Sequence, residues 1–100
     1  MTSMPTIAVE GPRFYSQTDE AQFHSWLESI PSVRSVGGVG TIVEIQFSTR
    51  RIRQQDLREI LALFHRYKLN KRQLVLFDRK EIPWFRDPKK YWYKEIFGKR

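Results

Sequence analysis

The sequence predicts an α+β domain with a ferredoxin-like βαββαβ sandwich, an antiparallel sheet that carries two helices on one face. Two segments have the apolar spacing of amphipathic helices, and between them a glycine-rich stretch separates two strand-like segments. Residues 13–77 supply this core, and residues 78–100 add a C-terminal helical segment. Right-handed crossovers would place the first and third strands at the centre of the sheet.

One hundred residues are enough for one hydrophobic core and too few for two ordinary domains. The composition is 40% hydrophobic and 14% aromatic, which is typical of a folded chain. We therefore interpret residues 1–100 as a single domain.

The first strand is predicted at residues 13–16, where Phe14 and Tyr15 favour extended structure. Residues 6–9 are a second candidate, weakened by flanking prolines, and their pairing into a different antiparallel sheet is the rival fold. A helix follows, capped by Ser16 or Thr18 and stopped by Pro31. Its apolar stripe consists of Phe23, Trp26, Leu27 and Ile30.

A β-hairpin is predicted across residues 32–47, with the glycines of residues 37–40 in its loop, because glycine readily adopts positive φ angles. In its second strand Val43, Ile45 and Phe47 alternate with Ile42, Glu44 and Gln46. One face should therefore pack on helices while the other faces water. A strand follows the glycines, whereas a phosphate-binding loop needs a helix there, so we exclude that motif.

The second helix is predicted over residues 54–67 and a short apolar strand over residues 74–77. A last helix should run from residue 88 to residue 97, because Asp87 and Pro88 are typical of a helix start. The two main helices and the hairpin should share one contact cluster, formed by Phe23, Trp26, Leu27, Ile45, Phe47, Leu57, Ile60, Leu61 and Phe64.

The residues with catalytic or metal-binding potential form no recognisable motif. The chain has no cysteine, so disulfides, thiolate zinc sites and cysteine nucleophiles are excluded. His24 and His65 lie on different predicted helices, and no carboxylate accompanies them at a metal-binding spacing. We predict a non-catalytic protein without metal or cofactor. The N-terminus lacks signal-peptide features and no stretch approaches the ~18 apolar residues of a membrane span, so we expect a cytoplasmic protein.

The charge is unevenly distributed along the chain. Residues 1–49 carry two basic and five acidic residues, whereas residues 50–100 carry 16 basic and six acidic ones. A candidate anion or nucleic-acid patch comprises Arg50, Arg51, Arg53, Lys71 and Arg72. Two alternatives stay open: solvated basic faces without any anionic partner, and contact between the acidic half of one molecule and the basic half of another.

The C-terminal segment is unusually aromatic, and it motivates the preferred function. Its rings would cover about two-thirds of the predicted helix, more than one packed face requires. The candidate protein interface consists of Trp84, Tyr91, Trp92, Tyr93 and Phe97. We predict protein–protein interaction or self-association here, with weakly sequence-specific nucleic-acid binding by the basic half as the alternative. The rings could equally be core, and contact with a membrane surface through Lys89, Lys90, Lys94 and Lys99 ranks lower.

Overall fold

A computed structural model describes residues 4–98 and shows an α+β arrangement, a three-stranded antiparallel sheet with several helices. The strands are β1 (Thr6–Glu10), β2 (Val33–Val39) and β3 (Ile42–Phe47), in the spatial order β1-β3-β2. The α-helices are α1 (Gln17–Ser29), α2 (Gln54–Arg66) and the short α3 (Tyr93–Ile96). Two 3₁₀ helices cover Arg72–Phe77 and Pro83–Arg86. No helix within residues 4–98 is long and apolar enough to cross a membrane.

The two long helices lie where the apolar spacing predicted them. Ser16 caps α1, and its hydroxyl accepts a hydrogen bond from the Asp19 amide at 3.0 Å. Phe23 and Leu27 are fully buried on the inner side of α1. The predicted contact cluster is confirmed: eight of its nine members are buried in one core, and Trp26 packs against that core while partly exposed.

The first strand is a correction to the sequence-based prediction. It lies at Thr6–Glu10 rather than at residues 13–16, and Ile7 and Val9 point into the core while their neighbours are exposed. This strict alternation matches a half-buried strand, and Pro5 and Pro12 flank the strand without interrupting it. In residues 13–16, Phe14 instead packs its ring 5.3 Å from that of Phe23. The aromatic character of this segment therefore reflects packing against α1 rather than strand formation.

The predicted fourth strand is wrong as well. Residues 72–77 form a 3₁₀ helix in which Leu74 and Phe77, three positions apart, are buried. A short apolar run suits a buried strand and a buried helical turn equally well, so its pattern does not distinguish them. The βαββαβ arrangement is therefore not confirmed. The described sheet has three strands, with β3 at its centre and β1 at its edge.

The outer edge of β1, where a fourth strand would pair, is occupied by a side chain. The amide of Gln73 donates from Nε2 to the Ala8 carbonyl at 2.6 Å and accepts from the Ala8 amide at 3.3 Å. One side chain thus replaces the pair of hydrogen bonds that a neighbouring strand would provide. This contact joins the first 3₁₀ helix to the sheet.

The hairpin is confirmed, although its turn is tighter than predicted. β2 and β3 are joined by Gly40 and Thr41 alone, and Gly40 has a φ of 61°. Gly37 and Gly38 lie within β2 rather than in the loop. Gly38 is required by crowding, because a Cβ atom there would lie 2.7 Å from the Ile42 carbonyl oxygen.

The last predicted helix is mostly replaced by turns. Residues 87–93 close two successive turns through hydrogen bonds from Lys90 to Asp87 and from Tyr93 to Lys90, and only Tyr93–Ile96 is α-helical. The Trp92 indole donates to the Phe85 carbonyl at 2.7 Å, which holds the segment in this bent path. Phe85, Trp92 and Ile96 belong to the common hydrophobic core.

Candidate binding surface

The C-terminal segment contacts the first half of α2 through Trp84. The Trp84 indole donates to Gln54 Oε1 at 2.8 Å, and the guanidinium of Arg58 lies 4.1 Å from the centre of the Trp84 ring. Gln54 and Arg58 are exposed and one helical turn apart, so both reach the same ring. Trp84 is half-buried, with a cation stacked on it.

Tyr91 makes the corresponding contact with the second half of α2. Its hydroxyl is 3.4 Å from the Leu61 carbonyl oxygen, and its ring is 4.3 Å from that of His65. Tyr91 nevertheless remains 55% exposed, which makes it the most accessible ring of the C-terminal segment. Partial burial raises the pKa of the Tyr91 hydroxyl above its usual value, which favours the neutral form that donates to the Leu61 carbonyl.

Trp92 lies between these two rings and joins them. Its centroid is 6.1 Å from that of Trp84 and 5.0 Å from that of Tyr91. We call Trp84, Trp92 and Tyr91 the aromatic row. Trp92 is only 7% exposed, so it supports the row from the core, while Trp84 and Tyr91 present their rings to solvent.

Each ring of the aromatic row has a cation beside it. Arg58 stacks on Trp84, Lys90 Nζ is 6.0 Å from the Trp92 ring, and Lys71 Nζ is 5.9 Å from the Tyr91 ring. Arg58 and Lys90 are exposed, whereas Lys71 is 7% exposed and pairs with Glu95 at 3.3 Å. The exposed cations therefore lie at the Trp84 and Trp92 rings, whereas the charges near Tyr91 belong to the ion pair of the buried Lys71 with the exposed Glu95.

Tyr93 and Phe97, the other two members of the predicted interface, lie outside the row. Both are half-buried, their rings 5.5 Å apart, and Phe97 packs 5.2 Å from the buried Phe85. The Arg86 guanidinium covers Phe97 at 4.7 Å. Phe97 packs against the core, and both rings are less accessible than that of Tyr91. Lys99, considered above for membrane contact, lies outside the described residues.

The structure does not bring the five basic residues of the predicted anion patch together. Arg50, Arg51 and Arg53 are exposed just before α2, while Arg72 is exposed beyond its C-terminal end. The 13 residues of α2 give it a length of about 20 Å, which separates the two groups. Lys71 is further excluded as a free cation by its burial and by its ion pair with Glu95.

The two histidines lie in separate surroundings, and neither belongs to a metal site in the described part of the chain. His24 packs 5.3 Å from the Phe23 ring on α1, far along the chain from His65 and Tyr91 on α2. Within residues 4–98, no three His, Asp or Glu side chains cluster so that they could hold a metal ion. The face of β3 opposite the core carries Ile42, Glu44 and Gln46, as predicted, and offers no aromatic ring for stacking on a base.

Sequence reasoning missed the α2 side of this surface. Gln54, Arg58 and His65 contact the aromatic row, yet none of them was a candidate. Their spacing was the available signal, because positions 54, 58, 61 and 65 follow one another along one side of a helix.

No family model, curated protein or solved structure matches the chain.

Proposed function

We propose that this protein is a non-catalytic binding module that recognises an acidic segment of another protein through the aromatic row. The observation that carries the proposal is the continuous Trp84-Trp92-Tyr91 row, with ring centres 6.1 Å and 5.0 Å apart and the exposed cations Arg58 and Lys90 within 6.0 Å of the Trp84 and Trp92 rings.

The residue types support a protein partner. Tryptophan, tyrosine and arginine dominate the binding energy of protein interfaces, and Trp84, Tyr91 and Arg58 stand together here. The rings are already positioned in the folded chain, since the Trp92 indole is hydrogen-bonded to the Phe85 carbonyl and the Trp84 indole is hydrogen-bonded to Gln54. Such preorganised rings lose little conformational freedom on binding.

The charges indicate the chemistry of the partner. Arg58 and Lys90 flank the row on exposed positions, and Lys89 and Lys94 are exposed in the same segment. A segment that combines Asp or Glu with one or two apolar side chains would complement both the cations and the rings. The stacked Arg58 covers one face of Trp84, so Tyr91 is the more accessible of the two solvent-facing rings, and base stacking along a strand is a poorer fit.

A peptide-display selection tests this proposal directly. Random 12-residue peptides selected on the purified protein should converge on acidic sequences with apolar residues, because only these complement the row. Recovered peptides should bind at least about tenfold more weakly to the Tyr91→Ala and Arg58→Gln variants, the loss expected for a contact of about 1.4 kcal/mol.

Tyr15→Ala is the matched control, because Tyr15 is 83% exposed and distant in sequence from the row. Peptide affinity for this variant should equal that of the unaltered protein. Recovery of no peptide family, or equal binding by the Tyr91, Arg58 and Tyr15 variants, would exclude the aromatic row as the binding surface.

Nucleic-acid binding is the second candidate, and one observation favours it. Arg50, Arg51 and Arg53 are exposed together at the start of α2, where the positive end of the helix dipole adds to their charge. Arg51 and Arg53 also contact Glu81 at 3.7 Å and Asp56 at 3.3 Å, so Arg50 is the least engaged of the three.

Salt titration of oligo-dT binding tests this second candidate. Affinity should fall as salt rises, and joint replacement of Arg50, Arg51 and Arg53 by glutamine should flatten the slope of log affinity against log salt. Arg72→Gln, at the other end of α2, should leave that slope nearly unchanged. Absence of binding at about 50 mM salt, where phosphate contacts are strongest, would rule out this function.

A further inference from the structure

The two edges of the sheet differ in how their backbone groups are satisfied. β1 and β2 are the edge strands, and Gln73 occupies the outer edge of β1. β2 is the longer edge strand, seven residues from Val33 to Val39, and contains neither proline nor lysine; a bulge between Val33 and Ser35 leaves residues 35–39 as its regular part. Exposed edges of this kind are the usual templates for pairing with another strand.

The register identifies the free groups on β2. Pro5 and Gly11 are bonded to Phe47 and Thr41, so the alternate residues Val43 and Ile45 direct their backbone groups toward β1. Val36 and Gly38 lie opposite these residues and therefore point their N–H and C=O groups away from β3. Within residues 4–98 no hydrogen bond to these four groups is found outside the strand ladder.

Gly37, between the two free residues, has no role in the single chain that requires glycine. A Cβ atom at Gly37 would meet nothing within 4 Å, and its φ is not in the left-handed region. Glycine weakens a strand relative to residues with a side chain. Its presence at the middle of a free edge is explained if another backbone approaches there closely.

We propose that two copies of this protein associate by antiparallel pairing of their β2 strands about a two-fold axis at Gly37. In this register Val36 of each copy faces Gly38 of the other, so all the free groups exchange hydrogen bonds and the two Gly37 residues meet at about 4.5 Å. Val39, which is 72% exposed in the single chain, then lies beside Ser35 of the second copy.

Charge complementarity supports a second copy as the occupant. Arg34 is the one charged residue of β2, and it lies at a bulge between Val33 and Ser35, where the regular register ends. The pairing of residues 35–39 places this end of β2 beside Gly40 of the second copy. Gly40 lines a groove of about 660 Å³ between the hairpin and α1, and the Asp, Glu, Lys and Arg residues of its lining are Glu10, Glu20 and Arg13. The symmetric pairing thus brings each Arg34 near a groove in which two carboxylates outnumber one guanidinium, and the two Arg34 residues lie about 20 Å apart, too far for strong repulsion.

The joined strands alone bury less area than the ~1,200 Å² of a standard stable interface, so the dimer should be weak and reversible. Sedimentation equilibrium from about 10 μM to about 1 mM should show a monomer–dimer equilibrium. Gly37→Lys should abolish dimerisation, because it sets two like charges against each other across the two-fold axis. Its fold should be retained, since the added side chain meets open space.

An equimolar mixture of Gly37→Lys and Gly37→Glu should restore a heterodimer, whereas each variant alone stays monomeric. Arg34→Glu should weaken the dimer at least about tenfold, in line with a close charge pair. Thr6→Lys, an exposed change on the other edge strand, should not alter the mass. If Gly37→Lys did not fold, concentration-dependent hydrogen exchange at the Val36 and Gly38 amides of the unaltered protein would serve instead, with protection expected to rise with concentration.

Monomeric behaviour of the unaltered protein at about 1 mM would overturn the proposal. A dimer that persisted in Gly37→Lys would overturn it too, and so would amide exchange at Val36 and Gly38 that did not depend on concentration. The aromatic row is a separate surface, so the Tyr91→Ala variant should dimerise normally. Peptide binding to the row and dimerisation through β2 can therefore fail independently.

Discussion

Asp56 connects the start of α2 to the turn that follows α1. Its Oδ2 atom accepts hydrogen bonds from the Ser32 amide at 3.1 Å and the Ser32 hydroxyl at 2.5 Å, and Oδ1 accepts from Arg53 at 3.3 Å. Asp56 is only 2% exposed. A carboxylate this deeply buried is stable only because its oxygens are satisfied by hydrogen bonds.

Asp56→Ala should lower the free energy of unfolding by about 2–3 kcal/mol, because it leaves the buried Ser32 amide without an acceptor and removes charge-assisted bonds. Ser32→Ala should lower it by about 1 kcal/mol, since the backbone bond remains. Urea denaturation followed by circular dichroism measures both. Glu28→Ala, at an exposed acidic position of α1, is the control, and an Asp56→Ala effect no larger than that of this control would contradict the role assigned to Asp56.

At the scale of single elements, the end of α2 has an unusual residue. Lys68 follows the helix with a φ of 59°, the left-handed conformation that glycine normally supplies at this position. The Lys68 amide donates to His65 and the Leu69 amide donates to Phe64 at 2.8 Å, which together form a Schellman motif. The motif directs the buried Leu69 back into the core.

Lys68→Gly should raise the free energy of unfolding by about 0.5–1 kcal/mol, because glycine adopts positive φ without the steric penalty that a Cβ atom brings. Lys68→Ala is the matched control, since it removes the same charge and keeps the Cβ atom. Comparison of the two urea midpoints separates backbone strain from charge. Equal stability of the glycine and alanine variants would show that Lys68 is not strained.

At the scale of the whole molecule, the C-terminal segment is part of the core rather than an appendage. Phe85, Trp92 and Ile96 are buried in the same cluster as the sheet and the two long helices. Glu95 further joins the segment to the start of the first 3₁₀ helix, because its carboxylate accepts a hydrogen bond from the Lys71 amide at 2.8 Å and forms an ion pair with the Lys71 side chain at 3.3 Å. The aromatic row therefore lies on a part of the molecule that is packed into the core.

Trp92→Ala should lower the free energy of unfolding by about 3–5 kcal/mol, the range for truncating a buried aromatic side chain. Tyr91→Ala, one residue earlier, should change it by less than about 1 kcal/mol, because Tyr91 is 55% exposed. Far-ultraviolet circular dichroism in urea should show one cooperative transition for each variant. Separate transitions for the C-terminal segment, or similar effects of the two substitutions, would contradict this account.

The sequence alone determined the two long helices, the hairpin and the cluster they share, because each rests on a periodic pattern that only one structure satisfies. The spacing of Phe23, Leu27 and Ile30 places all three on one face only in a helix, and the alternation of Val43, Ile45 and Phe47 suits only a strand. The basic residues and the aromatic residues of the C-terminal segment could be named as candidates from residue type, whereas the difference in exposure between Tyr91 and Trp92 could not.

Only the tertiary structure decided which short segments joined the sheet and which surfaces stayed open. Residues 6–10, 13–16 and 74–77 all favour extended structure locally, and the choice depended on which one could bury its side chains beside β3. Likewise, the segment around Trp92 packs inward, where the Trp92 indole donates a hydrogen bond to the Phe85 carbonyl. The length of α2 separates basic residues that were grouped into one patch because they share the basic half of the sequence. These outcomes depend on packing between residues distant in sequence, which no local sequence pattern encodes.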